Sequence, residues 1–151
     1  MLLTTHALFG IAIGETVPEP LVGPAAFGSH FAADMLPHFD HPGIYRQSSG
    51  LFGRSPMFWM VRVGDLLLAV LITILAALIW PERAVSIVTG ALCAILPDLL
   101  FISRVVRGRD LWPRFDYFHR AIQWFERPVG IVTELMLAVP VAWLVFSGRL
   151  M

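Results

Sequence analysis

The sequence predicts an all-α membrane protein: a polytopic helical bundle of four to five spans with one interfacial amphipathic helix. Three observations predict it. Hydrophobic residues make up 57% of the 151, and the mean hydropathy is +0.73. Charged residues make up 15%, against about 25% in soluble domains. Three stretches have the roughly 20 apolar residues that a helix needs to cross a hydrocarbon core of about 30 Å. The length predicts a single integral membrane domain, residues 1–151. This composition excludes a soluble enzyme, a disordered chain and a nucleic-acid binder.

The first segment, residues 2–14, is too short to cross comfortably. It tilts, enters partway, or pairs with the next segment through the turn Glu15-Thr16-Val17-Pro18-Glu19-Pro20. Its start lacks the positive region of a signal peptide and reads as part of the mature protein. The second segment, residues 20–37, carries His30 and Asp34 among small residues such as Gly23, Ala26, Gly28 and Ala33. Small residues let helices approach closely in lipid, so this helix is expected at the centre of the bundle. Residues 38–57 are rich in Gly, Ser and Pro and read as a loop.

Residues 61–80 end in the uncharged run Leu66 to Trp80 and form the clearest span. Residues 84–103 carry a single charge, Asp98, and residues 128–147 a single charge, Glu134. Between them, residues 104–127 hold six arginines and the amphipathic stretch from Arg114 to Glu126. At helical period Phe115, Phe118, Ile122 and Phe125 share one face, and Asp116, His119, Arg120 and Gln123 the other. With Trp112 and Trp124 beside it, this helix is expected to lie in the headgroup plane.

The two large loops lie on one side, because two spans separate them. They hold eight arginines; the other side holds Arg83 and Arg149. The positive-inside rule then puts the large loops in the cytoplasm. If both of the first two segments cross, the N-terminus is inside and the C-terminus outside.

Eleven basic residues balance eleven acidic ones, and all the basic ones are arginine. The absence of lysine excludes Schiff-base chemistry and a Walker-type phosphate loop. The balance leaves no nucleic-acid footprint. Cys93 is the only cysteine. It permits no intramolecular disulfide and no Cys-x-x-Cys metal site, and reads as a small buried apolar residue.

This topology brings the ionisable residues to one side. His6 sits at the inner end of the first segment. His30 and Asp34 are one turn apart near the inner end of the second, followed by His38, Asp40 and His41. Asp65, Asp98, His119 and Glu134 fall on the same side. Such groups in a membrane usually face a bundle interior, a partner or a water-filled site. Histidine nitrogen with carboxylate oxygen suits zinc, and also manganese or iron. Without usable thiols, a closed Cys-type site is excluded, and a site with an open, water-bearing position is the remaining kind. We therefore expect His6, His30, Asp34 and His38 as metal ligands. Asp40, His41 and His119 are expected as further ligands or as residues orienting them. Asp98 or Glu134 is the expected general base, and Arg114 and Arg120 face lipid headgroups.

Each residue also has a plainer reading. His6 fits a headgroup-level residue, and His30 fits a pair with Asp34. Asp65 fits an ion pair with Arg62 or a complement to a helix dipole. Asp98 fits a hydrated helix end and His119 a lipid-phosphate contact. Glu134 fits a helix-packing hydrogen bond.

The motifs Thr5-His6-Ala7-Leu8-Phe9-Gly10, Leu36-Pro37-His38-Phe39-Asp40-His41, Ile95-Leu96-Pro97-Asp98 and Phe118-His119-Arg120 resemble those of the bacterial membrane-bound metal-dependent hydrolase-like family. That family is distantly similar to zinc-dependent phospholipase C, in which an HxxxD pair on a helix supplies metal ligands. The resemblance carries His30 and Asp34 onto that pair and His6 onto an N-terminal ligand. The chain departs from the pattern at His119-x-x-x-Gln123, where the phospholipase-like motif has glutamate. The function expected is a metal-dependent hydrolase of the bacterial inner membrane, acting at the cytoplasmic leaflet on a lipid phosphoester. The alternative is a non-enzymatic adaptor or structural protein with a metal-binding or purely structural His/Asp cluster. Membrane lipids are the expected partners.

Overall fold

The computed structural model describes residues 1–39, 56–107, 112–123 and 129–150, apart from the side chains of residue 58 and residues 101–107. Six α-helices occur among these residues: α1 (Leu3–Thr16), α2 (Glu19–Asp34), α3 (Pro56–Ile79), α4 (Ala84–Arg107), α5 (Pro113–Ile122) and α6 (Gly130–Ser147). One 3-10 turn, Pro81–Arg83, joins α3 to α4.

Three helical stretches have the length and composition of a membrane span: Trp59–Ile79, Pro81–Leu100 and Gly130–Ser147. They cover the three expected spans with shifts of a few residues. Their outer faces carry large exposed apolar side chains, among them Leu67, Leu71, Leu78, Val85, Leu92, Met136 and Val139. A soluble monomer does not leave apolar patches of this extent open to water. The expected count of four to five spans is not confirmed by α1 and α2. With 14 and 16 residues, they extend about 21 and 24 Å, short of the hydrocarbon core.

The central helix is α1, not the small-residue segment that becomes α2. α1 packs against α2, α3, α4 and α6. It buries residues on every side, including Leu3, His6, Ala7, Gly10, Ile11 and Gly14. The reason is the pair Gly10 and Gly14, one turn apart, set against Gly90 of α4. A Cβ on Gly90 would lie 2.1 Å from the Gly10 carbonyl oxygen, and one on Gly14 would lie 2.5 Å from that of Ser86. Backbone meets backbone there, and dispersion between close helices replaces hydrophobic force. The glycines of α2 do not serve this purpose. A Cβ on Gly28 would meet nothing within 4 Å, and one on Gly23 only the Cys93 sulfur at 3.6 Å.

Around α1 the core is built from small and branched residues: Ala7, Ile11, Ala69, Ala76, Ile87, Ala91, Ile95 and Val145. At one end Trp80 closes the bundle, its Nε1 donating to the Val145 carbonyl at 3.3 Å. Gly148 ends α6 with φ +71°, a left-handed conformation that glycine adopts without strain, and packs on the Trp80 ring. At the other end lie the start of α1, the end of α2, the Asp98 region of α4, α5 and the start of α6. The functional residues gather there.

Candidate metal centre

The polar end is organised around the first turn of α1. The opening amides of a helix have no partner within it, and Leu2 supplies no side-chain cap. Carboxylates from other helices take that place. Asp65 of α3 accepts from Leu3 N at 2.7 Å, Thr4 N at 3.0 Å and the Thr4 hydroxyl at 2.7 Å. Glu134 of α6 accepts from Leu2 N and the Thr5 hydroxyl, each at 3.2 Å, and from Phe39 N at 2.8 Å. Asp65 therefore complements a helix dipole, but that of α1. Glu134 joins α1 to the segment after α2, and both its oxygens are spent on these donors.

The candidate metal ligands converge beside this capped turn. His30 and Asp34 lie on the buried face of α2, one turn apart. Asp98 comes from α4, directly after the mid-helix Pro97. His119 comes from α5, where it and Asp116 are the buried residues. One ligand atom from each of His30, Asp34, Asp98 and His119 lies within 4.8 Å of the others. His30 Nε2 and His119 Nε2 are 2.9 Å apart. Asp34 Oδ2 lies 3.1 Å from the first and 3.0 Å from the second. Asp98 stands further off, its oxygens 3.9 Å from His119 and from His6. Asp98 Oδ2 is buried without a hydrogen-bond partner.

The tautomer of His30 follows from its other nitrogen. His30 Nδ1 donates to the Ala94 carbonyl at 2.8 Å. In the neutral ring Nε2 therefore bears a lone pair, and that lone pair points at Asp34 and His119. A proton on His119 Nε2 satisfies Asp34 in this arrangement, and a cation bound by all three atoms satisfies it as well. Tetrahedral zinc, with bonds of about 2.0–2.1 Å to nitrogen and oxygen, spaces its ligands about 3.3 Å apart. The observed triad is close to that spacing. A metal-bound histidine normally donates its second N–H to a carbonyl or carboxylate, as His30 does. The residues present fit a metal ion.

His6 lies against the group without joining it. Its Nε2 is 3.1 Å from Asp34 Oδ1, its ring stacks on His30 with centroids 4.0 Å apart, and its Nδ1 is buried and unpartnered. The Met1 amino nitrogen also lies 3.1 Å from Asp34 Oδ1. His38 is not one of the four. Its Nδ1 donates to the Leu36 carbonyl at 2.8 Å, and its backbone rests against Gly130. Asp40 and His41 lie outside the described residues. Arg120 pairs with Asp116 one turn earlier on α5, and Arg114 is exposed on the same helix.

Gln123 enters the site although its position reads as a lost ligand. Its Nε2 donates to Asp34 Oδ2 at 2.8 Å and lies 3.2 Å from His119 Nε2. The signal available in sequence is its spacing, one turn after His119. The Ala94 carbonyl leaves no signal, because any residue supplies one. No family model matches the chain, nor does any characterised protein or solved structure.

Proposed function

We propose that the chain is a membrane-embedded, metal-dependent hydrolase. His30, Asp34 and His119 would hold a divalent ion, zinc before manganese or iron, with Asp98 beside it. The observation that carries this reading is the convergence of four ligand side chains from three helices within 4.8 Å in an otherwise apolar bundle. Intramembrane ionisable groups are expensive and mark function by default. A zinc ion held there would lower the pKa of a water beside it toward about 7.

The protein's own groups have distinct parts in this reading. Ala94 and Gln123 orient His30 and Asp34. Asp98, the most exposed of the four and lacking a partner on Oδ2, is placed to take a proton from an attacking water. Glu134 is left to its structural bonds. Arg114 and Arg120, on the exposed side of α5, draw an anionic headgroup toward His119. The substrate is then a lipid phosphoester in the leaflet that this end of the bundle meets. The arginine count puts that leaflet on the cytoplasmic side of a bacterial inner membrane.

The test is metal content and turnover together, on purified protein in lipid nanodiscs. Wild type is expected to retain about one zinc-like ion per chain and to hydrolyse a phospholipid or lipid-phosphate substrate. His30→Ala and Asp34→Ala are expected to lose both. Absence of any transition metal from wild type, before and after re-metallation, sinks the reading. One observation favours a second reading, a non-catalytic metal or structural cluster: the Gln123 amide occupies the oxygen of Asp34 that faces His119. Bound metal without turnover across phosphoester and amide libraries selects that reading.

A further inference from the structure

The way α5 is held to the bundle points to regulation of the same site, and this inference rests on the metal reading above. α5 packs on α2. Its anchors are of two kinds. One is aromatic: Phe31 of α2 meets Phe115 and Phe118, with ring centroids 6.1 and 5.4 Å away. The other is the ligand set itself. His119 reaches Asp34 Oδ2 at 3.0 Å and His30 Nε2 at 2.9 Å, and Gln123 reaches the same Asp34 oxygen at 2.8 Å. The outer face of α5 is largely exposed. Trp112 and Tyr117 are 63% and 75% exposed, the chemistry of a helix that partitions into the headgroup layer.

These two faces compete. The His30 tautomer set by Ala94 turns a lone pair toward His119 and Asp34. Without a cation, the His119 hydrogen bond to Asp34, the Phe31 contacts and the Gln123 amide hold α5. With a cation, the same three atoms become its ligands and pull α5 inward. We infer that metal occupancy latches α5 onto the bundle, and that loss of the ion releases this helix to the membrane surface. The device links the site to the lipid layer: the helix carrying the last ligand is the one that touches the headgroups. Linkage makes the effect reciprocal. Zinc shifts the docked-to-released ratio by the same factor by which docking strengthens zinc binding, a factor of about 5 to 150 for typical couplings.

Spin-label distance measurement tests this on the full chain in nanodiscs of phosphatidylcholine and phosphatidylglycerol, with zinc as the only added ligand. Labels go at Tyr117→Cys on α5 and Val85→Cys at the start of α4, in a Cys93→Ala background. Zinc content is read in parallel. The expected result is one narrow distance with zinc and a broad distribution after chelation. His119→Ala is expected to stay broad at any zinc level. Asp98→Ala, altered on α4 rather than α5, is expected to be broad at limiting zinc and narrow at saturation, a response that a purely structural role does not produce. Zinc bound with an unchanged distribution on chelation overturns the latch and leaves the metal reading standing. No zinc bound by wild type overturns both.

Discussion

Burial without a partner separates the side chains of this protein into two groups. Asp65 and Glu134 are buried carboxylates whose oxygens meet backbone amides and hydroxyls. Glu15 is equally buried, and neither of its oxygens has a hydrogen-bond partner. A buried carboxyl without donors retains its desolvation cost. Glu15→Met, which removes both oxygens at similar length, is therefore expected to raise thermal stability, by about 1–3 kcal/mol, measured as a melting-temperature shift in detergent or nanodiscs. A lower melting temperature refutes it. The opposite sign holds at Asp65. Asp65→Ala removes the acceptor for Leu3 N and Thr4 N and is expected to cost about 1–2 kcal/mol, the range of a lost helix cap. Asp65→Asn, which keeps an acceptor oxygen, is expected to recover part of that loss. Equal loss in the two variants contradicts the capping role.

The decisive element is α1, and its crossing with α4 is the point of least tolerance. Gly90→Val puts a branched side chain where even a Cβ is too close to the Gly10 carbonyl. The α1–α4 pair must separate, which also moves His6 and Asp98 apart. Overpacking of this kind costs about 1–3 kcal/mol or more. The expected outcome is lower stability together with weaker zinc retention, read by thermal unfolding and metal analysis of the same sample. Gly28→Val is the matched control, since a Cβ there meets nothing. It is expected to leave both unchanged. Substantial destabilisation by Gly28→Val places the packing interface on α2 instead.

The legibility of the elements follows the same physics. The three spans were readable because long charge-free runs leave a composition signal that needs no partner. The amphipathic period of α5 was readable for a similar reason, and the helix spans Pro113–Ile122. The central place of α1 was not readable. Gly10 and Gly14 have the spacing of a close-packing pair, yet α2 holds as many small residues. Only the face they meet, Gly90 and Ser86, distinguishes them. His30 and Asp34 were readable as a pair from their spacing of one turn. Their union with His119 and Asp98 needs three helices to be docked.

For the whole molecule, one polar end is built into an otherwise apolar bundle. Ligands that bind only the native state stabilise it by mass action, by about 2.7 kcal/mol at a hundredfold excess over the dissociation constant. Under the proposed metal reading, a chelator is therefore expected to lower the melting temperature of wild type. The shift is expected to disappear in Asp34→Ala, which unites His30 and His119 no longer. A chelator effect of equal size in Asp34→Ala assigns the metal to another place.

The sequence by itself determined the apolar character of this protein, three helices long and apolar enough to cross a membrane, and the spacing of His30 and Asp34. Those are properties of composition and of spacing along one helix, which local chemistry reports. The tertiary structure decided which helix is central, which carboxylates cap α1, and which histidines share Asp34. It gave Glu134 and Asp65 to backbone amides and gave Asp98 and His119 to the candidate metal centre. That choice depends on helix docking, where a few tenths of a nanometre separate a ligand from a cap, and no spacing within a single segment encodes it.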